Sequence, residues 1–322
     1  MTTATTDSTP IPGCTLSPPR PAARLRAAFN RTRTDGRCAL IGCLPAGFPT
    51  VEQSVEALRV LSRHVDVLEV GLPHRNPDLE FHPGAWGETS ASGLTVIDVL
   101  DVVRRVAATV SVPVMLMSSW DPIRSIGARY VAATLASAEG AAGLVVPGVH
   151  PKGHAAARWL TAAGRHQLAT AFTASPGVRR DAAEASTGWI SLSARTSREG
   201  RLDQPRTAFA SPAAEPANGD LLDLASLRGR ARILGQMTTT PVCASGGVFS
   251  PAMAEAIAPA VDGVVIRSAF VRTLLYARTF EEGLASLDER AAGYAAAVRR
   301  GGRTTHAGPA PAHDRCRASP AA

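Results

Sequence analysis

Short apolar runs alternate along this chain with longer segments in which apolar side chains recur every third or fourth position. The short runs predict strands at Ala39–Leu44, Val67–Leu72, Pro113–Met117, Gly143–Val146, Leu168–Phe172, Trp189–Ser193, Pro241–Ala244 and Gly263–Ile266. Between them, the spacing predicts helices at Val51–Arg63, Thr95–Ala108, Arg124–Ala138, Ala155–Ala163, Arg179–Ala185 and Pro251–Ala258, with a last one near Phe280–Arg299 packed outside. A helix between two strands lets the chain return to the same edge, so the strands pair in parallel. Eight such units close a barrel, which makes the expected fold an α/β (β/α)8 TIM barrel. The pattern breaks from Arg198 to about Asn218, where Gly200, Pro205, Pro212 and Pro216 punctuate a polar run. This long insert, at about 198–218, reads as a candidate lid or a partly disordered loop.

Composition sets the domain count. The 322 residues, 45% of them hydrophobic, suffice for one barrel with a full core and two ends to spare. The expected division is a disordered tail at 1–21, a barrel at 22–298 and a basic disordered tail at 299–322. The Thr-, Ser- and Pro-rich start lacks the charged and apolar blocks of a secretory signal, and no run is long enough to span a membrane. A soluble, cytoplasmic protein is therefore expected. The formal charge of +7 divides unevenly: residues 1–37 hold six arginines against two aspartates, and 299–322 hold five against Asp314. That puts +8 at the ends and about −1 in the body, without the aromatic-interleaved basic stripe of a nucleic-acid binder. Five cysteines, at 14, 38, 43, 243 and 316, form no CxxC pair, which argues for a reducing compartment and against structural zinc.

Chemistry is to be sought at the C-terminal ends of barrel strands. The second strand carries Glu69 within the apolar run Val65 to Pro73, and the proline-braced loop beyond it carries Asp78, Glu80 and His82. A carboxylate in such a run is a candidate acid/base group, a reading favoured over its rival, a rim carboxylate paired with an arginine. Glu80 has the rival reading of a solvated loop acid. Glu69, His74, Glu80 and His82 match no metal-ligand spacing, so no metal is expected. The seventh strand runs into Ser245-Gly246-Gly247 and the eighth into Arg267-Ser268-Ala269. Glycines that admit a close anion, beside a helix start with unpaired N–H groups, make a candidate phosphate cradle. Cys43 and Cys243 read most simply as small buried apolar residues.

These residues carry a resemblance. Leu40 to Pro49 resembles the first strand and loop of the tryptophan synthase alpha chain family, and Asp66 to Pro77 resembles its second strand with the E-x-G-x-P-x-x-x-P signature. Leu116 to Ile123, Gly143 to Pro147, Ser193 to Thr196 and Asp262 to Val265 continue the likeness in order.

The resemblance implies cleavage of indole-3-glycerol phosphate to indole and glyceraldehyde 3-phosphate without a metal or organic cofactor of this chain. Glu69 falls on the family's general acid/base and Glu80 on its second carboxylate, an aspartate there, which holds the indole N–H. Gly200, Gly246, Gly247, Arg267 and Ser268 fall on substrate- and phosphate-binding positions. The implied partner is a pyridoxal-phosphate beta chain in an alpha2-beta2 type assembly. The chain departs from the family's pattern at several points. It has Ser119 and Ser191 for tyrosines, Glu199 before Gly200 in the loop, Gly148 and Asn76 for aspartates, and Arg267 for a glycine. A non-catalytic barrel partner, or a barrel for another phosphorylated substrate, is the alternative. Lys152 is the chain's only lysine, and its polar-loop setting suits neither Schiff-base nor pyridoxal-phosphate chemistry.

Overall fold

The computed structural model describes residues 20–72, 93–175, 177, 179–194 and 223–302. Residues 1–19, the loop after the second strand, the 198–218 insert and residues 303–322 lie outside the described residues, while 299–301, expected as the start of the basic tail, are the end of the last helix. Eight parallel strands close a barrel in sequence order: β1 (Ala39–Pro45), β2 (Val67–Gly71), β3 (Val114–Met117), β4 (Ala141–Val145), β5 (Ala169–Thr173), β6 (Trp189–Ser193), β7 (Val242–Ser245) and β8 (Gly263–Ile266). The predicted strands are all present, displaced by no more than two residues at either end.

The helices are α1 (Pro21–Thr34), α2 (Val51–Ser62), α3 (Val96–Ala107), α4 (Trp120–Ile126), α5 (Ala128–Ser137), α6 (His154–His166), α7 (Arg179–Ala185), α8 (Leu224–Met237), α9 (Pro251–Ile257), α10 (Ser268–Leu275) and α11 (Phe280–Gly301). Side-chain caps start several of them. Thr50 Oγ1 accepts from the Gln53 N–H before α2, and Thr95 with Asp98 forms a reciprocal capping box before α3. The single helix expected over 124–138 is two, α4 and α5, because Gly127 sits at φ 94° and breaks the ladder between them. None of the described helices is long and apolar enough to cross a membrane.

Two apolar clusters follow from strand alternation. Leu40, Leu68, Val70, Leu116, Leu144, Ile190, Val264 and Ile266 face outward and join the helices. Ile41, Cys43, Val67, Met115, Ala171, Trp189 and Val265 face the lumen instead. The lumen cluster also contains Leu25, Ala28 and Phe29 of α1, and the Phe29 ring lies 6.3 Å from that of Trp189. Trp189 and Gly263 open their strands, so α1 plugs the N-terminal end of the barrel. This helix corrects the expectation that the basic charge of residues 1–37 belongs to a tail. Arg24, Arg26, Arg31 and Arg33 lie on α1, and Arg37 clasps Asp66 at 2.7 and 2.8 Å just before β1. That end is filled by α1, which leaves the C-terminal strand ends as the side to search for a site. One glycine is required by the wall itself: a Cβ on Gly143 would stand 2.0 Å from the Ala169 carbonyl oxygen.

Candidate active site

Alternation along β2 decides where Glu69 points. Val67 belongs to the lumen cluster and Leu68 and Val70 to the outer one, so Glu69 is aimed into the barrel, where its side chain is 0% exposed. The same rule on β8 turns Arg267 inward, two residues after Val265. The two meet across the top of the lumen. Arg267 Nε donates to Glu69 Oε2 at 3.2 Å and Nη2 to Oε1 at 3.4 Å, with Nη2 also 3.1 Å from Oε2. Both carboxylate oxygens are engaged by one planar fork. The Arg267 side chain keeps 15% of its surface exposed, so it is the member of the pair nearer solvent.

Cys43 completes this layer. In the β1–β2 register it lies opposite Glu69, and on its other side β1 pairs with β8 up to Gly42 against Ile266. Burial pushes the Cys43 thiol well above its ordinary range, the Glu69 charge adds to the shift, and the Arg267 charge opposes it. Burial works against the charged form of Arg267, but the Glu69 carboxylate and Cys43 together outweigh it, and the guanidinium pKa is raised. The layer is thus one permanent cation facing one carboxylate beside a neutral thiol.

The phosphate-cradle residues leave neighbouring strands at the same rim. Ser245 pairs with Val265 in the β7–β8 register, so Gly246 and Gly247 emerge next to Arg267 and Ser268. Both glycines are left-handed, at φ 74° and 76°, a conformation that turns successive amides toward one side. Ser268 opens α10, where Phe270 N and Val271 N already use the Arg267 carbonyl, while the first two N–H groups have no helical acceptor. Gly246, Gly247 and Ser268 are therefore gathered as expected. Arg267 stands at the same rim with its fork on Glu69.

Glu80 and Gly200, with Asp78, His74 and His82, lie outside the described residues. Among the described residues no group of three or more His, Cys, Asp or Glu side chains could hold a metal. Ser191, in the lumen wall, accepts from Trp189 Nε1 at 3.2 Å. The Ser119 hydroxyl after β3 is buried with no partner among the described residues. Lys152 is a surface residue after β4, paired with Asp181 at 2.7 Å. The sequence reading missed Cys43 as a neighbour of Glu69. The available signal was its place on the same inward face as Ile41. A surface recess lined by Arg26, Asn30, Thr187 and Pro241 lies at the opposite, N-terminal end, away from this layer.

The family model for the tryptophan synthase alpha chain matches residues 29–200. The tryptophan synthase alpha chain of Salinispora arenicola is 33% identical over 284 residues, covering 86% of this chain and 98% of the relative. That of Streptomyces coelicolor is 34% identical, covering 85% and 96%. A crystal structure of tryptophan synthase from Mycobacterium tuberculosis, in an open form, superposes with a TM-score of 0.69 at 29% identity, covering 86% of this chain and 98% of that one.

Proposed function

The chain belongs to the tryptophan synthase alpha chain family, and from that premise we propose that it is a lyase cleaving indole-3-glycerol phosphate to indole and glyceraldehyde 3-phosphate. The observation that carries this reading is a carboxylate, Glu69, buried at the C-terminal end of a closed parallel barrel whose N-terminal end is plugged. In the reaction assigned here, the Glu69 carboxylate first takes up a proton from solvent as its pairing with Arg267 opens, and the carboxyl so formed gives that proton to the indole ring carbon that bears the side chain. The ring nitrogen becomes cationic. The resulting carboxylate takes the proton of the adjacent side-chain hydroxyl, the carbon–carbon bond breaks, and its electron pair returns to the ring. Glyceraldehyde 3-phosphate leaves with the new aldehyde, and the proton count on Glu69 is restored.

Glu80 is assigned to the indole N–H, where a carboxylate offsets the charge that develops on the ring. Gly200, Gly246, Gly247 and Ser268 are assigned to the phosphate end, with backbone N–H groups as donors. The chemistry draws on side chains of this chain alone, and pyridoxal phosphate belongs to the beta chain we assign as its partner. The same reading places the reaction in the cytoplasm. Incubating the purified protein with indole-3-glycerol phosphate and measuring indole tests it. Glu69→Gln is expected to lower kcat by about 10²–10⁴-fold. Indole release that survives this substitution would remove Glu69 from its role.

The Arg267 fork on Glu69 favours one second reading: a barrel that has kept its scaffold as a non-catalytic partner of a beta-type chain, or serves another phosphorylated substrate. Stimulation of the beta chain's serine-dependent reaction without any lyase activity would single out the partner version.

A further inference from the structure

A general acid/base must present an oxygen to the substrate, and in this structure Glu69 turns both of its oxygens to a guanidinium. Both its oxygens are held by Arg267, and its side chain is closed to solvent. The arginine holding it is the more exposed partner, and its backbone forms the entrance to α10, directly before Ser268. The helix start follows Arg267 directly, and Gly246 and Gly247 leave the neighbouring strand at the same rim, so an anion seated there shares that rim with the guanidinium. Resting on the phosphate site assigned above, we propose that Arg267 is a positioning residue that holds Glu69 idle, and that a phosphate monoester frees Glu69 by taking the guanidinium as its own partner. The lyase would then be armed by the phosphate end of its substrate, and the carboxylate would be kept from reacting until that end is seated.

Two features support an exchange over a fixed strut. The fork geometry that fits a carboxylate fits a phosphate equally well, and a dianionic phosphate offers the cation more charge than a carboxylate does. The acceptor left behind is also not stranded, because the substrate hydroxyl and ring carbon are where its proton chemistry takes place.

The exchange predicts a non-additive binding cycle. Glycerol 3-phosphate and inorganic phosphate would be titrated calorimetrically into the full chain and its E69Q, R267M, R267K and E69Q/R267M variants. In E69Q the guanidinium no longer has to be won from a carboxylate, so glycerol 3-phosphate should bind about tenfold more tightly. R267M should bind about tenfold more weakly, and R267K, a point charge without the fork, should fall between. The decisive comparison is the double variant, in which E69Q should bring no gain once Arg267 is gone. An equal gain in both backgrounds would mean that Glu69 merely repels phosphate, and would overturn the exchange, as would no gain in E69Q.

If R267M does not fold, a structure of the unaltered protein with glycerol 3-phosphate decides the matter. The guanidinium on the phosphate with Glu69 released supports the exchange; an intact pair beside a seated ligand refutes it. Failure here is separable from failure of the lyase reading. Loss of indole release in E69Q with unchanged affinity removes the exchange alone. Tighter binding with indole release retained removes the catalytic role of Glu69 alone.

Discussion

Removing the cation from the Glu69 pair should be among the most damaging single changes the barrel core can suffer. In Arg267→Met the carboxylate stays where β2 puts it, with 0% of its side chain exposed, and loses the cation that faces both of its oxygens. An uncompensated buried charge of this kind costs about 3–5 kcal/mol, a large share of the ~5–15 kcal/mol that holds a typical domain folded. The reverse change should cost less. In Glu69→Gln the arginine keeps its solvent-exposed 15% and can turn outward, so the loss is that of a charge-assisted hydrogen bond, about 1.5–3 kcal/mol. The double variant holds an amide beside a thioether and no buried charge, and should recover a few kcal/mol relative to Arg267→Met. Urea unfolding with a common slope reads all three values, and each kcal/mol should move Tm by about 2–4 °C in a chain of this size. If Arg267→Met loses less than about 1 kcal/mol, or the two changes simply add, the pair is not the buried, mutually dependent unit described here.

Other consequences follow from residues around that layer. Burial, and then the Glu69 charge, raise the Cys43 thiol well above its ordinary value of 9.0, and burial with Asp262 does the same for Cys243. The folded thiols therefore stay protonated where unfolded ones ionise, so this stabilisation is complete below about pH 9 and declines as the pH rises further; stability scans should fall on the alkaline side. At pH 8, alkylation followed by mass spectrometry should leave Cys43 and Cys243 unmodified until denaturant is added, and rapid labelling of either would contradict their burial. Gly143→Ala forces a Cβ to within 2.0 Å of the Ala169 carbonyl oxygen, so β4 must part from β5; a loss of at least ~1–3 kcal/mol is expected, and a neutral result would count against the register. Thr95→Ala breaks the α3 capping box at a cost of about 1 kcal/mol. Thr95 also holds the exposed Asp98 carboxyl below its usual range, so its small, solvent-screened share is present at neutral pH and is lost as the pH falls toward the acid range.

Local pattern made the barrel legible. Eight short apolar runs separated by helical periods lead to parallel strands with crossover helices, and each run reappears within two residues of its expected place. Glu69 stood out for a related reason: a charge inside such a run must be paired or put to use. The glycine pair and the helix start at Ser268 were visible because turn and cap chemistry is written in consecutive residues. The split at Gly127 was harder to see, since one left-handed residue interrupts a helix without changing the apolar spacing around it. The segment of α1 falls almost wholly within the expected barrel at 22–298, but the helix itself was not legible and its charge reads as that of a tail, because arginines dominate a short segment whose buried side chains are few: Leu25, Ala28, Phe29 and Thr32.

The sequence by itself determined the alternation of strand and helix, the inward side of each strand and the candidate residues at the rim, because these depend on neighbours a few positions apart. Only the closed barrel decided what Glu69 touches. Arg267 lies 198 residues away along the chain, and the two meet because closure makes the first and last strands neighbours and brings β2 one strand further round. No spacing rule spans that interval. Whether a buried carboxylate is free or held depends on the electrostatics of that contact, which exists only once the ring is shut.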